Sequence, residues 1–136
     1  MTQKVLLIDD EQDFLDAMSG RMAARNIIVK TASSAQEAMD IIRIDTFDAV
    51  ILDYQLPETD GLSALKLIKG RRPDIQIILL TGFATLEKRT EAIKMGAMDL
   101  LEKPVDLSVL SEKIRQAKKA TLNDINKISY ILIVTE

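Results

Sequence analysis

The chain has 136 residues, 47% of them hydrophobic and 29% charged, a composition that suits one soluble domain with a full core. Its formal charge of −3 offers no basic footprint for nucleic acid. Cysteine and histidine are both absent, which excludes disulfides, thiolate or imidazole metal sites, cysteine nucleophiles, a Ser-His-Asp triad and a phosphohistidine.

From the amino terminus, an apolar run at residues 5–8 predicts a first strand. It is too short for a signal peptide or a membrane span, so a cytoplasmic, non-membrane protein is expected. Phe14, Met18 and Met22 step by four, as one face of a helix after Asp10-Glu11 should. A second strand is predicted at 27–29. Ala35, Ala38, Met39 and Ile42 then mark a second helix, with Ser33 or Ser34 as its cap. The run at 49–52 reads as strand three, and Leu62, Leu65 and Ile68 as helix three, entered at Asp60-Gly61 and ended near Gly70 and Pro73. Strand four is expected at 75–80, followed by a weaker helix marked by Leu86, Arg89, Ile93 and Met95 and stopped at Gly96. Strand five is expected at 98–101, and Leu107, Leu110, Ile114 and Ala117 form a fifth helix capped by Asp106.

Five strand–helix units in strict alternation predict an α/β domain with a parallel sheet covered on both faces. The common solution is flavodoxin-like, a doubly wound five-stranded parallel sheet of order 2-1-3-4-5, with ligands at the carboxyl ends of strands 1 and 3. Domain boundaries are expected at 1–120, leaving 121–136 as a carboxy-terminal extension.

Polar groups follow the apolar runs at those carboxyl ends. Asp9-Asp10-Glu11 ends strand 1, Asp53 ends strand 3, Thr81-Gly82 ends strand 4 and Glu102-Lys103-Pro104 ends strand 5. Three clustered aspartates repel one another, and a divalent cation relieves that conflict. Hard oxygen donors suit Mg2+, held by Asp10 and Asp53 with Asp9 acting through water. Asp53 is then placed to attack phosphorus, with Lys103 neutralising oxygen charge and Thr81 donating a hydrogen bond. Plainer readings exist for each residue. Asp9 or Asp10 could cap the first helix, Asp53 could be a solvated strand end, Lys103 an exposed loop lysine and Thr81 a turn residue. Gly61 and Gly96 are read as conformational, and the methionines as core filler.

Together with Asp53-Tyr54-Gln55-Leu56-Pro57 and Asp60-Gly61, these motifs resemble bacterial response-regulator receiver domains of two-component signalling, over about residues 4 to 120. The segment from Thr81 to Pro104 resembles receivers of nitrogen-regulation-type regulators. The resemblance implies a phosphorylation-activated switch, not a turnover enzyme. It implies a phosphoryl donor on a sensor histidine kinase or phosphotransfer protein, Mg2+ dependence, and slow self-dephosphorylation. It also implies that the Gln55 carbonyl completes the metal site, and that the bond before Pro104 is often cis.

One departure is Leu100, where many receivers carry Tyr or Phe three residues before the lysine. Thr81 is nonetheless expected to reshape the face of helix 4, strand 5 and helix 5. Phe83 and Gln55 flank the path of attacking water in the family, so the bulky Phe83 is expected to slow hydrolysis. Beyond residue 120, Thr121, Ile125 and Ile128 continue the stripe of helix 5, and residues 130–134 form an apolar β-branched run. This tail reads as a helical continuation toward a self-dimer or an output domain, with a linker or vector-derived residues as alternatives. Two competing functions remain: a phosphate-independent interaction module, and a flavin carrier or phosphatase on the same fold. Against the last, Asp-Asp-Glu after strand 1 would repel a flavin phosphate, and a phosphatase nucleophile would usually follow strand 1.

Overall fold

The computed structural model describes residues 2–120. Its elements run β1 (Lys4–Ile8), α1 (Gln12–Ala23), β2 (Ile28–Ala32), α2 (Ala35–Ile44) and β3 (Ala49–Asp53), then α3 (Gly61–Arg71), β4 (Gln76–Thr81), α4 (Leu86–Lys94) and β5 (Asp99–Glu102). A fifth helix, α5, is helical over 107–120. All strand pairs are parallel, in the order β2-β1-β3-β4-β5. This is the flavodoxin-like order that the alternation predicted.

The pleat sorts the apolar runs onto two faces. Leu6, Ile8, Val50, Leu52, Ile77, Leu79 and Leu100 join the layer made with α2, α3 and α4. Val5, Leu7, Ala49, Ile51, Ile78 and Leu80 join the layer made with α1 and α5. Because β1, β3 and β4 are covered on both sides, they need continuous rather than alternating apolar sequence.

Element ends differ from the sequence expectation where tertiary pairing overrides local pattern. Strand β2 runs from Ile28 to Ala32 instead of 27–29, because its ladder with β1 extends from Lys4↔Ile28 to Ile8↔Ala32. As an edge strand it alternates, with Ile28 and Lys30 exposed. The α4 face also differs: Leu86 is 81% and Ile93 46% exposed. The buried residue of α4 is Ala92, whose small side chain lets this short helix approach the sheet closely.

Helix starts follow from capping chemistry. Of the two candidate serines, Ser34 is the α2 cap and accepts from Glu37 N at 3.1 Å, while the Ser33 hydroxyl meets the Glu37 carboxylate. Asp60 caps α3 through Ser63 N at 2.7 Å, and Asp106 accepts from Ser108 N at 2.7 Å. Gly61 donates to the Tyr54 carbonyl at 2.6 Å. A Cβ at Gly61 would stand 2.6 Å from Tyr54 Cα, so this approach requires glycine. Gly96 ends α4 at φ 107°, as its reading required. The Lys103–Pro104 bond is cis. The extension anticipated at 121–136 lies outside the described residues.

Candidate functional site

The polar ends of β1, β3 and β5 converge on one edge of the sheet. Asp9 directly follows β1, and only 1% of its surface is exposed. Its Oδ1 accepts from Glu11 N at 2.9 Å and its Oδ2 from Lys103 Nζ at 2.7 Å. Asp10 instead faces solvent. Asp53 closes β3; its Oδ1 accepts from Gln55 N at 3.2 Å, and its Oδ2 lies 3.5 Å from Lys103 Nζ. Asp9, Asp10 and Asp53 each bring a carboxylate oxygen within 4.8 Å of the others. A cleft of about 430 Å³, lined among others by Asp10, Asp53, Gln55, Gly82 and Lys103, opens above them.

Capping is therefore a partial truth for Asp9. Its carboxylate holds the N–H of Glu11, the residue just before α1. The same side chain also anchors Lys103, which a cap does not require.

Charge at this edge is unbalanced. Burial, and then the Asp9 carboxylate, push the Asp53 pKa up, against the pull of the Gln55 N–H and Lys103. For Lys103, burial works to depress the pKa, but contact with Asp9 and Asp53 outweighs it and the ammonium is held above its usual range. Lys103 thus pairs with Asp9 and Asp53, and the Asp10 carboxylate adds a third negative charge to the cluster. The clustered carboxylate oxygens are hard donors, and the excess negative charge fits a small divalent cation. The residues present therefore suit Mg2+.

Thr81 closes β4 at the same edge, and its hydroxyl is engaged by Phe83. It is 5% exposed; its Oγ1 accepts from Phe83 N at 3.3 Å and donates to the Phe83 carbonyl at 3.5 Å. Leu100, 4% exposed, is a core residue of the α2–α4 layer.

Two features are not visible in the sequence. Phe14 reads there as one member of a helix face, yet its ring centroid lies 4.5 Å from Lys103 Nζ, so it helps fix the ammonium. Lys88 in the first turn of α4 donates to the Phe83 carbonyl at 2.8 Å. Its ammonium also lies 5.2 Å from the Tyr54 ring centroid and 5.6 Å from that of Phe83. Spacing along the chain carries no signal for the Phe14–Lys103 and Lys88–Tyr54 contacts, because each joins separate elements.

Comparison with known proteins agrees with this architecture. The family model for the response regulator receiver domain matches residues 5–115. PilR, a response regulator of Pseudomonas aeruginosa, is 31% identical over 115 residues, covering 85% of this chain and 26% of PilR. An NtrX-like protein of Rickettsia typhi is 34% identical over an alignment of 137 positions, covering 97% of this chain and 29% of that protein. The solution structure of the beryllofluoride-activated NtrC4 receiver domain dimer superposes with a TM-score of 0.81 at 30% identity, covering 87% of this chain and 98% of that one. The chain thus spans less than a third of the length of these two curated relatives. With the family model matched over residues 5–115 and the sheet in the order β2-β1-β3-β4-β5, the chain belongs to the response-regulator receiver domains of two-component systems.

Proposed function

We propose that Asp53 accepts a phosphoryl group from the phosphohistidine of a sensor histidine kinase or phosphotransfer protein, and that this changes the contacts the domain makes with partners. The observation that carries the reading is Asp53 at an open acidic cleft, 3.5 Å from a lysine that Asp9 holds at 2.7 Å. An Asp53 carboxylate oxygen forms the new bond to phosphorus as the bond from phosphorus to the donor imidazole nitrogen breaks. Lys103 faces the transferred group and offsets its negative charge. Thr81 turns its hydroxyl from the Phe83 carbonyl to a phosphoryl oxygen.

Asp10, Asp53 and the Gln55 carbonyl are the groups that would hold Mg2+, with Asp9 beside them. When bound, the ion supplies charge neutralisation for the carboxylates and for the phosphoryl oxygens. Hydrolysis of the acyl phosphate resets Asp53, so the domain works as a switch and turns over no other substrate.

The chain is shorter than its relatives, and a joined output region or a second copy of the domain are the downstream partners that fit. No helix among the described residues is long and apolar enough to cross a membrane. A cytoplasmic setting follows from the proposed kinase partner.

The test is incubation with Mg2+ and a small phosphodonor, read by intact mass. One added phosphoryl group is expected, absent in Asp53→Asn and absent with chelator. No adduct under any condition would sink the proposal and leave a phosphate-independent interaction module.

A further inference from the structure

Leu100 leaves an open mechanical question. Buried in the α2–α4 layer, it offers no ring that could swing between core and solvent. A signal that starts at Asp53 must leave by another route. We infer that Lys88 couples the phosphorylation state of Asp53 to α4, an inference that rests on the proposed phosphorylation.

The route follows from proton inventory. Thr81 has one O–H, and it points at the Phe83 carbonyl at 3.5 Å. When a phosphoryl oxygen on Asp53 accepts the hydrogen bond from that O–H, the Phe83 carbonyl loses a donor. The other donor to this carbonyl is Lys88 Nζ at 2.8 Å. Lys88 is tied firmly to its helix, since its N–H donates to the Oγ1 of the cap residue Thr85 at 3.1 Å. Release of Phe83 by Thr81 therefore leaves the β4–α4 loop fastened to the first turn of α4, and the two move together.

The ammonium also lies over two rings. It lies 5.2 Å from the Tyr54 centroid and 5.6 Å from that of Phe83, both inside the range of about 6 Å at which a ring face attracts a cation. Tyr54 follows Asp53 directly, and its N–H donates to the Leu80 carbonyl at 2.7 Å, which fixes it beside the reacting carboxylate. One cation thus touches the residue after the phosphate acceptor, the loop that Thr81 holds, and the helix that follows.

Helix α4 is suited to respond. Ala92 is its one buried residue, while Leu86 is 81% and Ile93 46% exposed. A tilt changes the apolar surface shown to a partner and disturbs little of the core. The plain alternative is that Lys88 is a solvated surface lysine with incidental neighbours.

Amide chemical shifts with and without Mg2+ and beryllofluoride, a phosphoryl mimic, separate these readings. In the parent, residues 82–94 shift together with Asp53 and its neighbours on β3. In Lys88→Met, the β3 shifts persist and those of 86–94 fall at least twofold. In Lys88→Arg, which keeps the cation, they recover. Equal α4 shifts in parent and Lys88→Met, with β3 responding in both, overturn the role of Lys88 and leave the phosphorylation reading intact. A parent that shows no response at β3 overturns both.

Discussion

At Asp53, burial and the neighbouring Asp9 charge raise the pKa, while the Gln55 N–H and Lys103 oppose them. A carboxyl whose folded-state pKa lies above its ordinary 3.8 contributes stability below that ordinary value and loses it as pH rises through the folded value. At neutral pH the ionised Asp53 therefore weakens the fold. Asp53→Asn is expected to melt higher than the parent at pH 7 in metal-free buffer, with the gap closing as the pH drops below about 3.8. A lower melting temperature for the variant would contradict this account of the acidic edge. The acidic residues and Lys103 were readable from sequence, because each ends an apolar run and one topology brings those ends together. The orientation of Thr81 and the ring of Phe14 beside Lys103 were not: rotamer choice settles whether the Thr81 hydroxyl meets Phe83, and the Phe14 contact joins residues far apart along the chain.

Between elements, Asp99 plays the organising part. It begins β5, is 3% exposed, and binds Arg89 Nε of α4 at 2.9 Å and Lys113 Nζ of α5 at 3.0 Å. Burial would raise its pKa, but Lys113, the Leu100 N–H and Arg89 more than offset it, and the net value is lowered. This contribution is present above the ordinary 3.8 and fades as pH falls through the depressed folded value. Asp99→Asn should cost about 1–3 kcal/mol in urea unfolding at pH 7, a loss that shrinks below that ordinary carboxyl value. A cost that stays constant down to acid pH would mean packing, not charge, accounts for it. Sequence spacing gave α4 an apolar face of Leu86 and Ile93; the structure leaves both exposed. Nine residues at the end of a sheet are held by the buried Ala92, the Arg89–Asp99 ion pair and the contacts of Lys88, which periodicity does not reveal.

Over the whole molecule, one sheet serves two core layers. Ile51 and Leu52 are neighbours on β3, both fully buried, yet they belong to opposite layers. Ile51→Ala and Leu52→Ala should each cost about 2–5 kcal/mol and preserve a single unfolding transition, because neither layer closes without β3. Separate transitions by far-UV circular dichroism and by amide exchange in the two layers would show that they unfold independently. The alternation of apolar runs with helical stretches already determined the parallel α/β fold and its acidic edge, because a strand buried on both faces must be apolar throughout and its polar exits must gather where the order reverses. The three-dimensional packing decided the rest. It turned the Thr81 hydroxyl onto Phe83, set Lys103 beside Asp9, Asp53 and Phe14, and placed Lys88 over two rings. The contacts of Lys103 with Asp9, Asp53 and Phe14, and of Lys88 with Tyr54, join elements distant in sequence, and only the packed sheet and helices bring their atoms within a few ångströms.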